Sequence, residues 1–153
     1  MKKYYLFLAV IALQSCISVR FNSNSDHNKV FKNVSNPNIT STGTFLDFEI
    51  KDENWGNENT FNSTFAKFKN SKGNSSIKLK VNRQSIVEFN HKIRVDGDIK
   101  FEIINQNDKV IYTKDFTSNV EDNFKLDLNR GEYIVKWTAK NATGNYFLEW
   151  KEK

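Results

Sequence analysis

From about residue 42 to the end, apolar and polar positions alternate in short runs. Leu46, Phe48 and Ile50 fall on one side of the chain, and Ile77, Leu79 and Val81 do the same with Lys78 and Lys80 opposite. Val87, Phe89, His91, Ile93 and Val95 make a longer stripe against Glu88, Asn90, Lys92 and Arg94, and Ile99, Phe101 and Ile103 oppose Lys100 and Glu102. Phe124, Leu126 and Leu128 continue the pattern. Tyr133, Val135, Trp137 and Ala139 follow, then Tyr146, Leu148 and Trp150. A period of two with one wet face is the mark of antiparallel strands that bury one side. Asp96-Gly97 sits between two stripes as a two-residue hairpin turn would, Asn105–Asp108 and Asn141–Gly144 read as longer hairpin loops, and Asn129-Arg130-Gly131 breaks the chain before a strong strand. No run has helical spacing. The pattern predicts an all-β fold over residues 42–153, an antiparallel β-sandwich of jelly-roll or immunoglobulin-like type with eight or nine strands.

The first fifteen residues follow a different rule. Lys2 and Lys3 precede an unbroken apolar run from Tyr4 to Leu13, too short for the roughly 20 residues that a bilayer requires and of the length of a signal-peptide core. Leu13-Gln14-Ser15-Cys16 comes next and resembles the lipobox of bacterial lipoproteins. The resemblance implies cleavage between Ser15 and Cys16, a diacylglycerol on the Cys16 sulfur and a further palmitate-type chain on the new amino terminus. Buried methylenes contribute about 0.8 kcal/mol each, and a durable anchor takes more than one chain. In such families an Asp after the cysteine retains the protein in the inner membrane. Ile17 stands there instead, which favours the outer membrane, facing either the periplasm or the exterior. Residues 16–41, rich in Asn and Ser and without a lasting period, read as the lipidated cysteine and a flexible tether that would hold the domain roughly 25–30 Å from the lipid.

Composition narrows the classes. Thirteen Phe, five Tyr and three Trp are ample for a core, so disorder of the whole chain is excluded. Loss of the leader removes two lysines and no acid and takes the formal charge from +5 to +3, well short of a nucleic-acid footprint. One cysteine excludes internal disulfides and thiolate-rich zinc sites.

The C-terminal part resembles small extracytoplasmic sandwiches. The segments are Gly97-Asp98-Ile99-Lys100-Phe101, Asn107-Asp108-Lys109-Val110, Leu128-Asn129-Arg130-Gly131-Glu132-Tyr133 and Gly144-Asn145-Tyr146-Phe147-Leu148, across roughly residues 85–152. The GOLD domain and the bacterial pre-peptidase C-terminal domain share this order of turn, Gly-x-Tyr strand and closing aromatic strand. The resemblance implies a binding or targeting module.

Few residues point to chemistry. His27 lies in the tether, and His91 sits on an apolar stripe with no second His or Cys to complete a metal site. No serine has a nucleophile-elbow setting, and no glycine loop suits phosphate. Asp96 and Asp98 flank a turn glycine without the spacing of a calcium loop. Trp137 and Trp150 read as core. Trp55, amid Asn and acids, is the candidate ligand or partner contact, through stacking on a sugar or packing on a protein; its alternative is to cap the end of the sandwich. The outward lysines read as a solubilising, edge-protecting surface. No catalytic residue, metal or cofactor is expected. The predicted function is a non-enzymatic, lipid-anchored envelope protein that binds another envelope component or belongs to an assembly. A glycan- or small-ligand-binding lipoprotein acting near Trp55, and an inhibitor or immunity lipoprotein, are the alternatives.

Overall fold

The computed structural model describes residues 37–48 and 55–153. The leader, Ser15, Cys16, His27, the tether up to residue 36, Ile50 and the stretch 51–54 lie outside the described residues. The described chain forms eight strands, β1 (Ile39–Ser41), β2 (Phe45–Phe48), β3 (Gly56–Asn59), β4 (Ser63–Val81), β5 (Ser85–Asn105), β6 (Val110–Phe116), β7 (Val120–Leu128) and β8 (Gly131–Glu152). All pairings are antiparallel. The hydrogen-bonded order is β1-β4-β8-β5-β6, with β2 and β3 also on β4 and β7 also on β5.

The long strands β4, β5 and β8 each serve two layers. On a straight β8, Trp137 and Tyr146 would stand roughly 30 Å apart. Their rings instead stack with centroids 4.1 Å apart and planes 3° from parallel. His91 and Phe101, at opposite ends of the middle of β5, meet at 6.2 Å. Each long strand doubles over, so one continuous sheet becomes a sandwich. Its first layer holds β3, residues 63–68 of β4, 144–152 of β8, 85–95 of β5, and β7. The second holds β1, β2, residues 71–81 of β4, 131–142 of β8, 98–105 of β5, and β6.

The three bends lie side by side. Register shifts fall between Phe68 and Ser71 in β4 and between Asp96 and Asp98 in β5, and Val95 pairs with Gly144 while Asp98 pairs with Lys140. Asn70 and Asn141 take left-handed backbone (φ 50° and 53°), as do Gly97 and Gly144 (φ 99° and 152°). Bulges with glycine or asparagine sharpen the local twist and let a sheet turn a corner. Two sequence expectations change here. Asp96-Gly97 is no hairpin turn, and Asn141–Gly144 is no hairpin loop; both are corners inside continuous strands. Local residue chemistry demands a positive φ in either case, and only the neighbouring strands decide which is built. The Asn105–Asp108 turn does join β5 to β6, with Asn105 N–H donating to Lys109 O at 2.9 Å and Asp108 N–H to Asn105 O at 3.0 Å.

The core between the layers includes Phe89, Ile93, Phe101, Ile103, Val135, Trp137, Tyr146 and Leu148, each no more than 1% exposed. Opposite the large rings, β4 turns Thr64, Ala66, Ser71 and Ser75 inward, all fully buried. Small side chains there make room for Trp137 and Tyr146, and Ser75 Oγ lies 3.1 Å from the Tyr146 hydroxyl. Leu46, expected on a buried stripe, is 49% exposed beside Phe45 at 57% on the edge strand β2. The boundary of the domain also moves. Residues 38–41, which read as the end of the tether, belong to the sheet: Ile39 is buried and pairs with Val81. Asn38 fastens this start to both ends of the barrel-like rim. Its amide donates to Arg83 O, Ser85 Oγ and Glu152 Oε1 at 3.0, 3.1 and 2.8 Å, and its own Oδ1 accepts from Arg83 N–H at 2.7 Å.

Candidate functional site

Trp55 precedes β3 at the edge where β2 and β3 both lie against β4. It is half-buried, stacks on Phe68 with centroids 5.0 Å apart, tilts against Tyr146 at 6.1 Å, and donates its indole N–H to Asn57 Oδ1. Asn57 in turn donates to Thr44 Oγ1 at 3.2 Å. Trp55 therefore caps the open edge of the core. Phe68 occupies one face of its indole. Behind it, burial pushes the Tyr146 phenol up to about 12, so the hydroxyl stays neutral and works as a structural hydrogen-bond partner. Trp137 and Trp150 are core, as the stripes implied.

A different aromatic pair reaches the surface. The outer face of the first layer carries the alternate residues of its strands, and register places Glu58, Phe65, Phe147, Lys92 and Glu121 in one row across five strands. Phe65 and Phe147 are thus direct cross-strand neighbours, with Cβ atoms expected about 5 Å apart. Phe147 is 37% exposed and Phe65 half-buried. The row on one side runs Lys67, Asn145, Arg94, and on the other Ser63, Glu149, Asn90, Asn123. A shallow groove of about 350 Å³ lies beside Phe147, lined by Asn90, Lys92, Glu121 and Asn123 among others.

Part of the charge on this face is paired in place, and Lys67 Nζ lies 5.8 Å from the centre of the Phe65 ring. Lys92 Nζ is 3.0 Å and Arg94 Nη2 3.6 Å from Glu121 Oε2, and Lys151 Nζ is 3.0 Å from Glu149 Oε2. The Lys92 ammonium beside Glu121 holds that carboxyl below its usual range. These exposed pairs add little stability. Their consequence is that Lys92, Arg94 and Glu121 hold one another, while two phenylalanine side chains lie beside carboxamides. Asn90, Asn123 and Asn145 each offer two donors and an acceptor carbonyl. The sequence listing of stripes passes over this face because outward positions are scored as merely polar, and Phe147 and Phe65 are the exceptions that alternation alone cannot separate from noise.

His91 is buried, 4% exposed, and neither ring nitrogen has a hydrogen-bond partner. Its ring lies among Phe116 (5.1 Å, edge-on), Phe124 (5.7 Å) and Phe101 (6.2 Å). Burial lowers its pKa, the nearby Lys114 lowers it further, and Asp122 acts against both. A cation facing aromatic rings gains about 2 kcal/mol at best, against several kcal/mol for an unpaired buried charge. The neutral imidazole wins. Because the folded-state pKa is depressed below the ordinary 6.5, the unfolded chain binds the proton more readily. The stability tied to His91 is complete above about pH 6.5 and declines as pH falls from there towards the folded-state value, by at most about 1.4 kcal/mol per pH unit.

Asp96 and Asp98 stand exposed at the corner of β5. Among the described residues no group of three or more His, Cys, Asp or Glu side chains is arranged to hold a metal.

No family model matches the chain, and no curated protein matches it. The chain is similar to a CBM4 structure at 6% identity, covering 67% of this chain and 77% of that one with a TM-score of 0.43. It is also similar to the secreted serine protease VesC from Vibrio cholerae, at 17% identity, covering 76% of this chain and 25% of that one with a TM-score of 0.48. The CBM35 structure from Paenibacillus barcinonensis is 14% identical, with 76% and 94% covered and a TM-score of 0.40. At these values no ligand is carried from those proteins to this chain.

Proposed function

We propose that this protein is a non-enzymatic, lipid-anchored binding protein of the bacterial cell envelope, and that the outer face of its first layer takes a neutral glycan. Acyl chains on Cys16 hold it to the membrane, with the outer membrane favoured by Ile17. The observation that supports the binding reading is the juxtaposition of Phe65 and Phe147 on β4 and β8, on an open sheet face where Lys92 and Arg94 are paired with Glu121. Two aromatic side chains on neighbouring strands suit the apolar side of a sugar ring, and the flanking amides suit its hydroxyls. An ionic ligand at the Lys92–Glu121–Arg94 set would have to break those pairs to gain a partner there.

An array of neutral and anionic oligosaccharides tests this. The protein is expected to retain neutral members, and Phe147→Ala to weaken that binding at least about tenfold, equivalent to 1.4 kcal/mol. Trp55→Phe, which keeps the edge filled, should leave it unchanged. Retention of anionic members alone, or equal binding by the Phe147→Ala protein, would count against this face. Anchoring is tested separately. Cys16→Ser is expected to move the protein from the membrane to the soluble fraction on cell fractionation, and a variant that stays on the membrane would remove the lipid from the account.

A further inference from the structure

The mouth between β6 and β7 is closed by two contacts that join the layers. Tyr112 of β6 stacks on Phe124 of β7, centroids 3.8 Å apart and planes 4° from parallel. Beside them Lys114 Nζ meets Asp122 Oδ2 at 2.7 Å. Both strands are edges, β6 pairing only with β5 in the second layer and β7 only with β5 in the first. Directly behind this closure sits His91, whose register partner on β7 is Asp122 itself. The charged groups facing it are Lys114 from β6 and Asp122 from β7; the rings of Phe101, Phe116 and Phe124 lie around it, and its register partner on β8 is Leu148.

We infer that His91 is a proton-sensitive latch, and that its protonation releases the β6–β7 mouth and exposes the aromatic cluster behind it while the rest of the sandwich holds. Neither imidazole nitrogen is partnered in the closed arrangement, so an added proton meets no hydrogen bond already in place. The new cation repels Lys114 and draws Asp122, so both partners of the closing ion pair are pulled apart. Opening the edge hydrates the imidazolium. Only the outer rim needs to move, because β5, β4 and β8 remain paired along their lengths. Acid loosening through Asp122 is disfavoured, since the Lys114 ammonium and the Asn123 N–H hold that carboxyl below its ordinary value. The inference requires no ligand, although His91 and Asp122 also line the groove beside Phe147.

Amide hydrogen exchange of the full mature protein in detergent tests it, run at about pH 7.5 and about pH 5 with correction for the intrinsic rates, beside an imidazole titration by NMR. Amides of β7 and β6 are expected to exchange at least about tenfold faster at the lower pH, with a midpoint matching that of His91, while those of β4 and β8 keep their protection. In His91→Phe, or in His91→Leu should the phenyl ring fail to fit, the rise should vanish. Uniform loss of protection in every strand, no change at β7, or a change that persists in the folded variants would overturn the latch.

Discussion

Gly144→Ala is expected to lower stability by roughly 3–5 kcal/mol, placing it among the large single-residue effects. A Cβ at this position would lie 1.9 Å from Arg94 O and 2.9 Å from the carbonyl carbon, both backbone atoms of the paired strand. The backbone has φ 152°, which a side chain strains further. Neither contact can be relieved by rotating a side chain. Relief requires β5 and β8 to part at the corner, the place where both layers are joined. Since whole domains are stable by only about 5–15 kcal/mol, thermal unfolding should fall by at least about 10 °C. Gly43→Ala is the matched control, because nothing lies within 4 Å of its added carbon. A Gly144→Ala protein that melts with the native one would mean that the three bends are not in register.

Trp137→Ala is the second large effect, at about 3–5 kcal/mol. Trp137 is 1% exposed and holds Tyr146 on one side while meeting Phe101 at 5.3 Å on the other. Stacking adds about 0.5–1.5 kcal/mol to the burial, and the facing Ser71 and Ser75 of β4 are too small to fill the void. Denaturant titration should show a lower midpoint with an unchanged slope. Trp137→Phe keeps a ring in the site and should recover more than half of the loss. If alanine costs under about 1 kcal/mol, the ring stack across the bend is not what joins the two layers.

Alternation made most strands of the sandwich legible, since β5, β7 and β8 place their apolar residues on one face as the stripes require. It missed the first half of β4. There the inner positions are Thr64, Ala66, Phe68 and Ser71, mostly small or polar residues set against neighbouring rings, so no clear apolar stripe forms although the positions are buried. It also divided β5 and β8 at their corners, because Gly97 and the Asn141–Gly144 stretch satisfy a hairpin and a bulge equally well by local chemistry. At Trp55 the polar neighbours in sequence conceal an apolar neighbour in space, Phe68. His91 was legible as buried, but the absence of any partner for its nitrogens depends on three phenylalanines from other stretches of chain. The binding face was least legible. Phe65 and Phe147 lie far apart in sequence, and only the β4–β8 register makes them one surface.

The reading of function turns on that surface, and chemical-shift mapping with an isotope-labelled protein and a neutral oligosaccharide retained on the array addresses it most directly. Perturbations are expected at Phe65, Asn90, Asn145 and Phe147, spreading to Lys92 and Asn123 and sparing Trp55. Shifts gathered instead around Trp55, or on the lysine-bearing face of the second layer, would contradict it.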